Sequence, residues 1–553
     1  MKKIIFFITV IFTALGCQDN FLDRTPKDGF SGEMVWNTDI NAESGVNGVY
    51  AFMQQGTLKT FYMHMEVIAP DAFAYVRTWE GLEVAQGLAT PRFWVFQNVY
   101  QNHYRTIRFA NDAIANLEGN EAITPALRDR LLGEVKFIRA FMYFNLINLY
   151  GDVVLLTEPK TPSETYLPRT PIGEVRAQII RDLNDAIAVL PVSYDSKNTG
   201  RATKGAAIAM LGKVYLYNEQ WGEAAAEFEK LMASPYTYDL TKDYFDNFNW
   251  EKQSNSETVY ELNYINVAGY GSGWDQMYGS RSHQQYCQDY VNPQLRTIQN
   301  FTYRDGTEVD WTTMPRLSDY EQYGTEQTYE FGLDLMAWYQ KTFPRNKIDD
   351  RLHKSFLMPG ETFIGKDDNV YKLYYPYSRY LQADPLPNKT TFGDAALLTI
   401  RKLVSEGSMN QLTWDDPANT PIIRFADVLL MYAEAVNNVE GPTAAVYNAI
   451  NRVRNRAKLV DLPPGLSKEE MFREIVRERM RELTVEGILY FDTKRWKLAD
   501  TDDPLVGLNN DVTLYDGQVY YTGVFNQRDY LWPIPAVEIE LNDKMVQNPG
   551  WGN

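Results

Sequence analysis

The sequence predicts a mainly α protein, in which tetratricopeptide-like helix pairs build an α/α superhelix and a loop-rich irregular lobe interrupts them. Three observations predict it. Tyr100, Tyr104, Ile107, Asn111, Ile114 and Leu117 recur on one face at three- and four-residue spacing, the period of a helix. Leu211, Gly212, Tyr215, Ala224, Phe228 and Pro235 lie close to the tetratricopeptide offsets, with Pro235 one residue early. Between about 236 and 415 that period fades, and Gly, Pro, Asn, Asp, Tyr and Trp take over.

The first element is not part of the fold. The chain opens MKKIIFFITVIFTALGC, with Lys2 and Lys3 before an apolar run from Ile4 to Leu15, then Gly16 and Cys17. This is the pattern of a secretory signal, residues 1–16, that ends at an acylated cysteine. The run is shorter than the roughly 20 apolar residues of a spanning helix. Ala14 stands where such signals usually carry leucine, and Leu15 follows one place late. Cys17 is therefore the expected lipid anchor, holding the protein on a membrane rather than in it. Residues 17–30 read as a polar tether, broken by Pro26 and Gly29.

An N-terminal helical region follows over 31–233. One helix is predicted over 99–117 and another over 126–150, stopped by Gly151. The half FIRAFMYFNLINLY is apolar nearly all round, yet Glu134, Lys136 and Arg139 argue for a central buried helix over a membrane span. Segment 206–235 reads as two antiparallel helices, with small Gly212 and Ala224 permitting close approach.

The second region, 234–553, begins with the irregular lobe, where GYGSGWDQMYGS (269–280) is a loop by composition. Helices are predicted again at 422–438 and 444–457. The next starts at Ser467, with Glu470 completing a capping box. Phe472, Ile475, Val476, Met480 and Leu483 form its buried stripe. Arg473, Glu474, Arg477, Glu478, Arg481 and Glu482 form an opposite face that reads as solvated or interdomain. The stretch from Tyr530 to Trp551 reads as extended, pinned by Pro533, Pro535 and Pro549.

The formal charge is −18, and loss of Lys2 and Lys3 with the signal takes it to −20. So acidic a chain argues against nucleic acid and anionic lipid as partners. There are two cysteines; with Cys17 lipidated, Cys287 has no disulfide partner, and the fold must rest on its packed core.

No catalytic, cofactor or metal site announces itself. His64, His103, His283 and His353 are scattered without metal-ligand spacing. No GxSxG elbow or phosphate loop is present, and whether a calcium ion braces a loop is not decided by sequence. His103 reads as a hydrogen-bonded structural residue, and Asp427 and Glu434 as buried acids paired with arginine. The 72 acidic residues would permit the carboxylate pair of a glycosidase, but none is singled out.

Aromatic residues in irregular chain are the stronger candidates: Trp79 and Trp94 ahead of the 99–117 helix, Tyr270, Trp274 and Tyr278 in the glycine-rich loop, and Trp311 in a later polar loop. A flat indole covers the C–H face of a sugar ring, while Asn98, Asp275 and Gln276 are placed to bond its hydroxyl rim. The candidate binding set is Trp79, Trp94, Asn98, Trp274, Tyr278 and Trp311.

Together several stretches carry a family resemblance: FLDRTPKD after the lipid site, EVKFIRAFMYFNLINLYGDVVLL (134–156), RATKGAAIAMLGKVYLY (201–217), IIRFADVLLMYAEAVN (422–437), AINRVRNRA (449–457), REIVRERMRELTVEGILYFDTKRW (473–496), and YLWPIPAVEIELN with QNPGW at the end. In number, order and spacing they resemble the SusD/RagB family of nutrient-binding outer-membrane lipoproteins. The resemblance implies a helical SusD-like scaffold with the ligand site in the irregular lobe. It also implies a non-catalytic, cell-surface protein that delivers an oligosaccharide to a SusC-like TonB-dependent transporter. A peptide-binding member of that family and, further off, a glycoside hydrolase on a helical scaffold are the alternatives. Ligand residues vary within the family, so the six candidates stand on the stacking argument alone.

Overall fold

The computed structural model describes residues 35–74, 81–279, 287, 289–316, 325–365, 368–372, 398–407, 415–514 and 519–552. Cys17, Trp79 and His283 lie outside them. Helices are α1 (Asp39–Met53), α2 (Phe61–Glu66), α3 (Trp94–Leu117), α4 (Pro125–Tyr150), α5 (Ile172–Val189), α6 (Lys204–Tyr217), α7 (Trp221–Leu231), α8 (Trp274–Tyr278), α9 (Leu295–Gln299), α10 (Thr325–Thr342), α11 (Phe425–Glu440), α12 (Ala444–Arg456), α13 (Lys468–Glu482), α14 (Leu489–Arg495) and α15 (Ala536–Leu541), besides shorter turns.

The caps written in the sequence form. Ser467 Oγ accepts the Glu470 N–H while the Glu470 carboxylate accepts the Ser467 N–H at 2.7 Å. Gly151 ends α4 at φ +72°, where a Cβ would sit 2.9 Å from Leu531 Cδ1. Helix α4 is the central buried helix. Its one deeply buried cation, Arg139, forks onto Asp182 of α5 at 2.7 and 2.8 Å and also donates to Asn111 of α3.

Successive helices α3 to α7 pack each on the next, and α7 packs against α11, which in turn carries α12 and α13. The two helical blocks thus join into one stack, although about 190 residues separate α7 from α11 in sequence. Gly212 on α6 allows the closest approach within the tetratricopeptide-like pair: a Cβ there would lie 2.6 Å from Phe228 Cε1 on α7. No helix among the described residues is long and apolar enough to cross a membrane.

The irregular lobe leaves and rejoins this stack through one antiparallel ladder. Strand β2 (Thr258–Leu262) pairs with β8 (Thr420–Arg424), Leu262 opposite Thr420, while the short strands β4 (Phe356–Leu357), β5 (Thr362–Ile364), β6 (Val370–Lys372) and β7 (Thr399–Ile400) lie within the lobe. Within the lobe, β3 (Val291–Pro293) pairs back onto β1 (Ala72–Ala74), which ties the lobe to the end of α2. The ladder corrects the helix expected over 422–438. Residues 420–424 are strand, and α11 begins only at Phe425; burial runs unbroken from Asp416 to Met431, so no exposed break marks the junction. Two further expectations are corrected. The Tyr530–Trp551 tail contains α15, set up by Pro535, and the 269–280 loop contains the single helical turn α8.

The charged face of α13 is the largest correction. Of its six residues, Glu478, Arg481 and Glu482 are buried, as is neighbouring Arg479, while the Arg473 and Arg477 side chains stay 37% and 42% exposed. Arg351, fully buried, pairs with Asp349, Glu478 and Glu482 at 2.7–3.0 Å. Arg424 bridges Glu257, Glu482 and Glu486, and Arg456 reaches Glu257 and Glu482. Arg479 meets Asp427 at 2.8 Å and Asp492 at 2.7 Å, while Arg495 holds Glu434, so those two acids are paired with arginine as expected. Residues brought from six separate stretches complete this network, which the local charge pattern could not reveal.

Candidate functional site

The site is built on the short segment that contains α2. A single helical turn at 56–58 precedes it, and Gly56 adopts φ +55° beside the Asn102 side chain of α3. On this flank Trp94, the first residue of α3, is half-buried. Its indole meets the His64 ring edge-on at 5.4 Å and Phe93 at 6.2 Å. Asn98 lies one turn on, half-buried, its carbonyl accepting the Asn102 Nδ2–H at 2.7 Å. Sequence reading placed Trp94 ahead of the helix. It is instead the helix's first residue, which puts it and Asn98 on one face, four residues apart.

On the other flank the lobe returns. Lys59 Nζ lies 3.5 Å from Asp415 Oδ1, and the Gly271 N–H donates to the same oxygen at 3.1 Å. Gly273 sits close to Met63 of α2 and to Lys59. Just before it, Tyr270 is 67% exposed, on a turn closed by Ile265 N–H to Tyr270 O (3.1 Å) and Tyr270 N–H to Val267 O (2.9 Å). The α2 segment thus meets Trp94 through His64 on one flank and, through Lys59 and Asp415, the turn that carries Tyr270 on the other. Trp79 lies outside the described residues. The glycine that follows its segment, Gly81, packs beside Val67 at the end of α2.

Trp274 and Tyr278 are corrected as gripping residues. They are 1% and 0% exposed, with rings 5.0 Å apart, and the Trp274 indole N–H donates to Thr420 Oγ1 at 3.0 Å. They belong to the buried core, a few residues along the chain from Tyr270. Asp275 and Gln276 are buried with them, so neither offers a hydrogen bond at the surface. The Asp275 carboxylate draws α8 inward by accepting the Ser405 N–H at 2.7 Å. It faces Asp416, itself held by Ser272 Oγ. Burial and this neighbour push Asp275 well above the usual carboxylate range; burial pushes Asp416 to about 6. Both acids are sealed at 1% exposure, so this pair is out of a substrate's reach.

Trp311 belongs elsewhere. It is half-buried against Trp338 (5.4 Å) and Phe343 (5.5 Å) and lines a separate open cleft of about 650 Å³ whose lining includes neither Trp94 nor Asn98. The six candidates thus divide into the half-buried Trp94–Asn98 edge, the buried Trp274 and Tyr278, Trp311 in a second cleft, and Trp79 outside the described residues. Sequence reading missed Lys59 and Asp415. No local signal could have joined them, since 356 positions separate the pair.

His103 Nδ1–H donates to the Val99 carbonyl at 2.7 Å, and burial lowers its pKa to about 4, so it stays neutral. Among the described residues no group of three His, Cys, Asp or Glu could hold a metal ion. What the face can do is stack flat rings on an apolar surface and bond the rim through Asn98, Lys59 and Asp415.

Comparison with known proteins agrees over the whole length. The chain is 25% identical over all of its length to the SusD-like protein P25 of Formosa agariphila, covering 99% of that protein. A SusD-like protein from Bacteroides fragilis superposes with a TM-score of 0.77 at 21% identity, covering 96% of this chain and 100% of that one. A laminarin binding SusD-like protein superposes with a TM-score of 0.64 at 22% identity, covering 93% and 100%. Residues 20–216 match a family described as starch-binding and associating with the outer membrane. Residues 235–551 match the SusD family, so with more than half its length covered the chain belongs to that family.

Proposed function

We propose that this protein is a non-catalytic glycan-binding lipoprotein that captures an oligosaccharide at the outer membrane and delivers it to a SusC-like TonB-dependent transporter. The observation that carries the reading is the α2 segment, which joins the Trp94–Asn98 edge through His64 to Lys59, Asp415 and the turn of exposed Tyr270, so that aromatic rings and polar groups flank one short stretch. Such a surface suits a saccharide, which has a C–H face to stack and hydroxyls to bond. Stacking on exposed rings gives modest affinity, which fits a protein that must also release its cargo. The laminarin binding relative supports a glycan over a peptide as the ligand class.

Two experiments test this. A neutral-glycan array probed with the Cys17→Ser form should return at least one bound oligosaccharide, with no new reducing ends after incubation; an array blank throughout would overturn the glycan reading. In membrane fractionation Cys17→Ser should move to the soluble fraction. Retention equal to wild type would overturn the lipid anchor.

A further inference from the structure

The cleft at Trp311 differs in chemistry from the Trp94 face. Arg296 on α9 lies in its lining. The guanidinium donates through Nε to the Pro70 carbonyl (2.7 Å) and through Nη1 to the Gly507 carbonyl (2.6 Å). Among the described residues it makes no ion pair with a carboxylate. Burial lowers its pKa to about 10, so it is a cation at neutral pH. The cleft's other arginines each have a carboxylate at ion-pair distance: Arg473 has Asp503 and Arg477 has Glu474, both at 2.8 Å, while Arg454 and Arg481 share Glu478 at 3.3–3.4 Å. Arg296 is the lining arginine without such a partner among the described residues.

It is also held rigidly. The 503–507 loop receives Arg296 on the Gly507 carbonyl and Arg473 on the Asp503 carboxylate. Asn300 stitches the end of α9 to α13, donating to the Arg477 carbonyl at 3.0 Å and accepting Arg481 Nε–H at 2.7 Å. Trp311 lines the same space, half-buried, its indole N–H out of solvent contact. A fixed cation and a flat ring thus share the lining of an open cleft of about 650 Å³.

We propose that this cleft is a second saccharide site, separate from the Trp94 face, and that it takes a sugar bearing a carboxylate or sulfate group. The sugar ring lies on Trp311 and the anionic group sits on Arg296. This goes beyond the neutral-glycan reading and does not depend on it. The chain's formal charge of −18 does not prevent it, because remote charges are screened beyond about 8 Å at physiological salt, while a guanidinium–anion contact acts at hydrogen-bond range. Exposed Glu308 lines the cleft, as do exposed Asp305 and Asp461, and these acids lower affinity for an anion without blocking the cleft.

The test is calorimetric titration of the Cys17→Ser form with three probes: an oligogalacturonate hexasaccharide, a sulfated galactan hexasaccharide and neutral laminarihexaose. At least one charged probe is expected to bind, more weakly as sodium chloride is raised, and the one that binds identifies the anionic group. Arg296→Met should weaken it by about tenfold or more, the loss expected for a charge-assisted contact, while Trp94→Ala leaves it unchanged. Glu308→Gln, an exposed substitution that leaves the core intact, should strengthen it. The proposal is overturned if neither charged probe binds, if binding ignores salt, or if it survives in folded Arg296→Met. Loss in Trp94→Ala would overturn it too, by showing a single shared site. Should Arg296→Met fail to fold, Glu308→Gln decides: unchanged affinity for the charged probe overturns the proposal.

Discussion

Replacing Glu482 with glutamine keeps the side chain's shape and removes one negative charge from the centre of the buried network. Glu482 is fully buried and meets Arg424 at 2.8 Å and Arg351 at 3.0 Å, with Arg456 on the same oxygen as Arg424. Without that charge, three guanidiniums are left with only their remaining partners in a site that water does not reach. Breaking a buried ion pair from one side costs about 3–5 kcal/mol, because the stranded cation keeps its desolvation penalty. An exposed pair such as Arg92–Glu540, with side chains 71% and 53% exposed, is worth about 0–1 kcal/mol. In urea unfolding followed by far-UV circular dichroism, Glu482→Gln should therefore lose about 3–5 kcal/mol, and Arg92→Gln less than about 1 kcal/mol. The pH limb gives a second readout. Burial opposes ionisation of Glu482, but Arg456, Arg424 and Arg351 outweigh it and hold the carboxyl well below its usual range. A lowered carboxyl adds stability that is present above its unfolded value, about 4.3, and lost as pH falls toward its folded value. Wild type should thus weaken from about pH 5 downward, and Glu482→Gln should weaken less steeply there. A loss below about 1 kcal/mol with an unchanged acid limb would refute the view that charge, rather than shape, makes this residue indispensable.

Other outcomes follow from the same structure. Trp274→Ala should cost about 3–5 kcal/mol in chemical denaturation, because it empties a fully buried indole site; unchanged stability would return Trp274 to the surface. Gly212→Leu should destabilise by more than about 1 kcal/mol, since its side chain would press on fully buried Phe228; an unchanged midpoint would contradict the close α6–α7 contact. Asp275→Asn keeps an acceptor for the Ser405 N–H and removes a carboxyl that burial and Asp416 push well above the usual range. A raised carboxyl contributes stability at low pH that is lost as pH rises through its folded value, so wild type should weaken between about pH 4 and 6, where Asp416 titrates. The variant's melting temperature should fall less over that range; parallel curves would show that the two acids do not oppose one another.

Much of the scaffold was legible because its signals are local. The Ser467–Glu470 box, the Gly151 stop and the Gly212–Phe228 approach each involve residues on one element or on neighbouring ones. What the sequence hid depends on partners far along the chain. The face of α13 looks solvated until Glu257, Arg351, Arg424 and Arg456 fold onto it. Strand β8 reads as helix until β2 pairs with it. The glycine-rich composition around Trp274 suggested an open loop, yet Asp275 and Ser405 draw that turn into the core. At the binding face, Trp94, Asn98 and Tyr270 could be named from residue type, while the Lys59–Asp415 pair could not.

The central claim is that flat rings on the irregular side hold a neutral sugar without altering it. The most direct measurement is calorimetric titration of the best glycan from the array into the Cys17→Ser form, with and without Trp94→Ala. The account predicts that the variant keeps its fold by circular dichroism, binds at least about tenfold more weakly through loss of stacking area, and leaves the glycan intact. Equal affinity in a folded variant, or a shortened glycan after incubation, would contradict it.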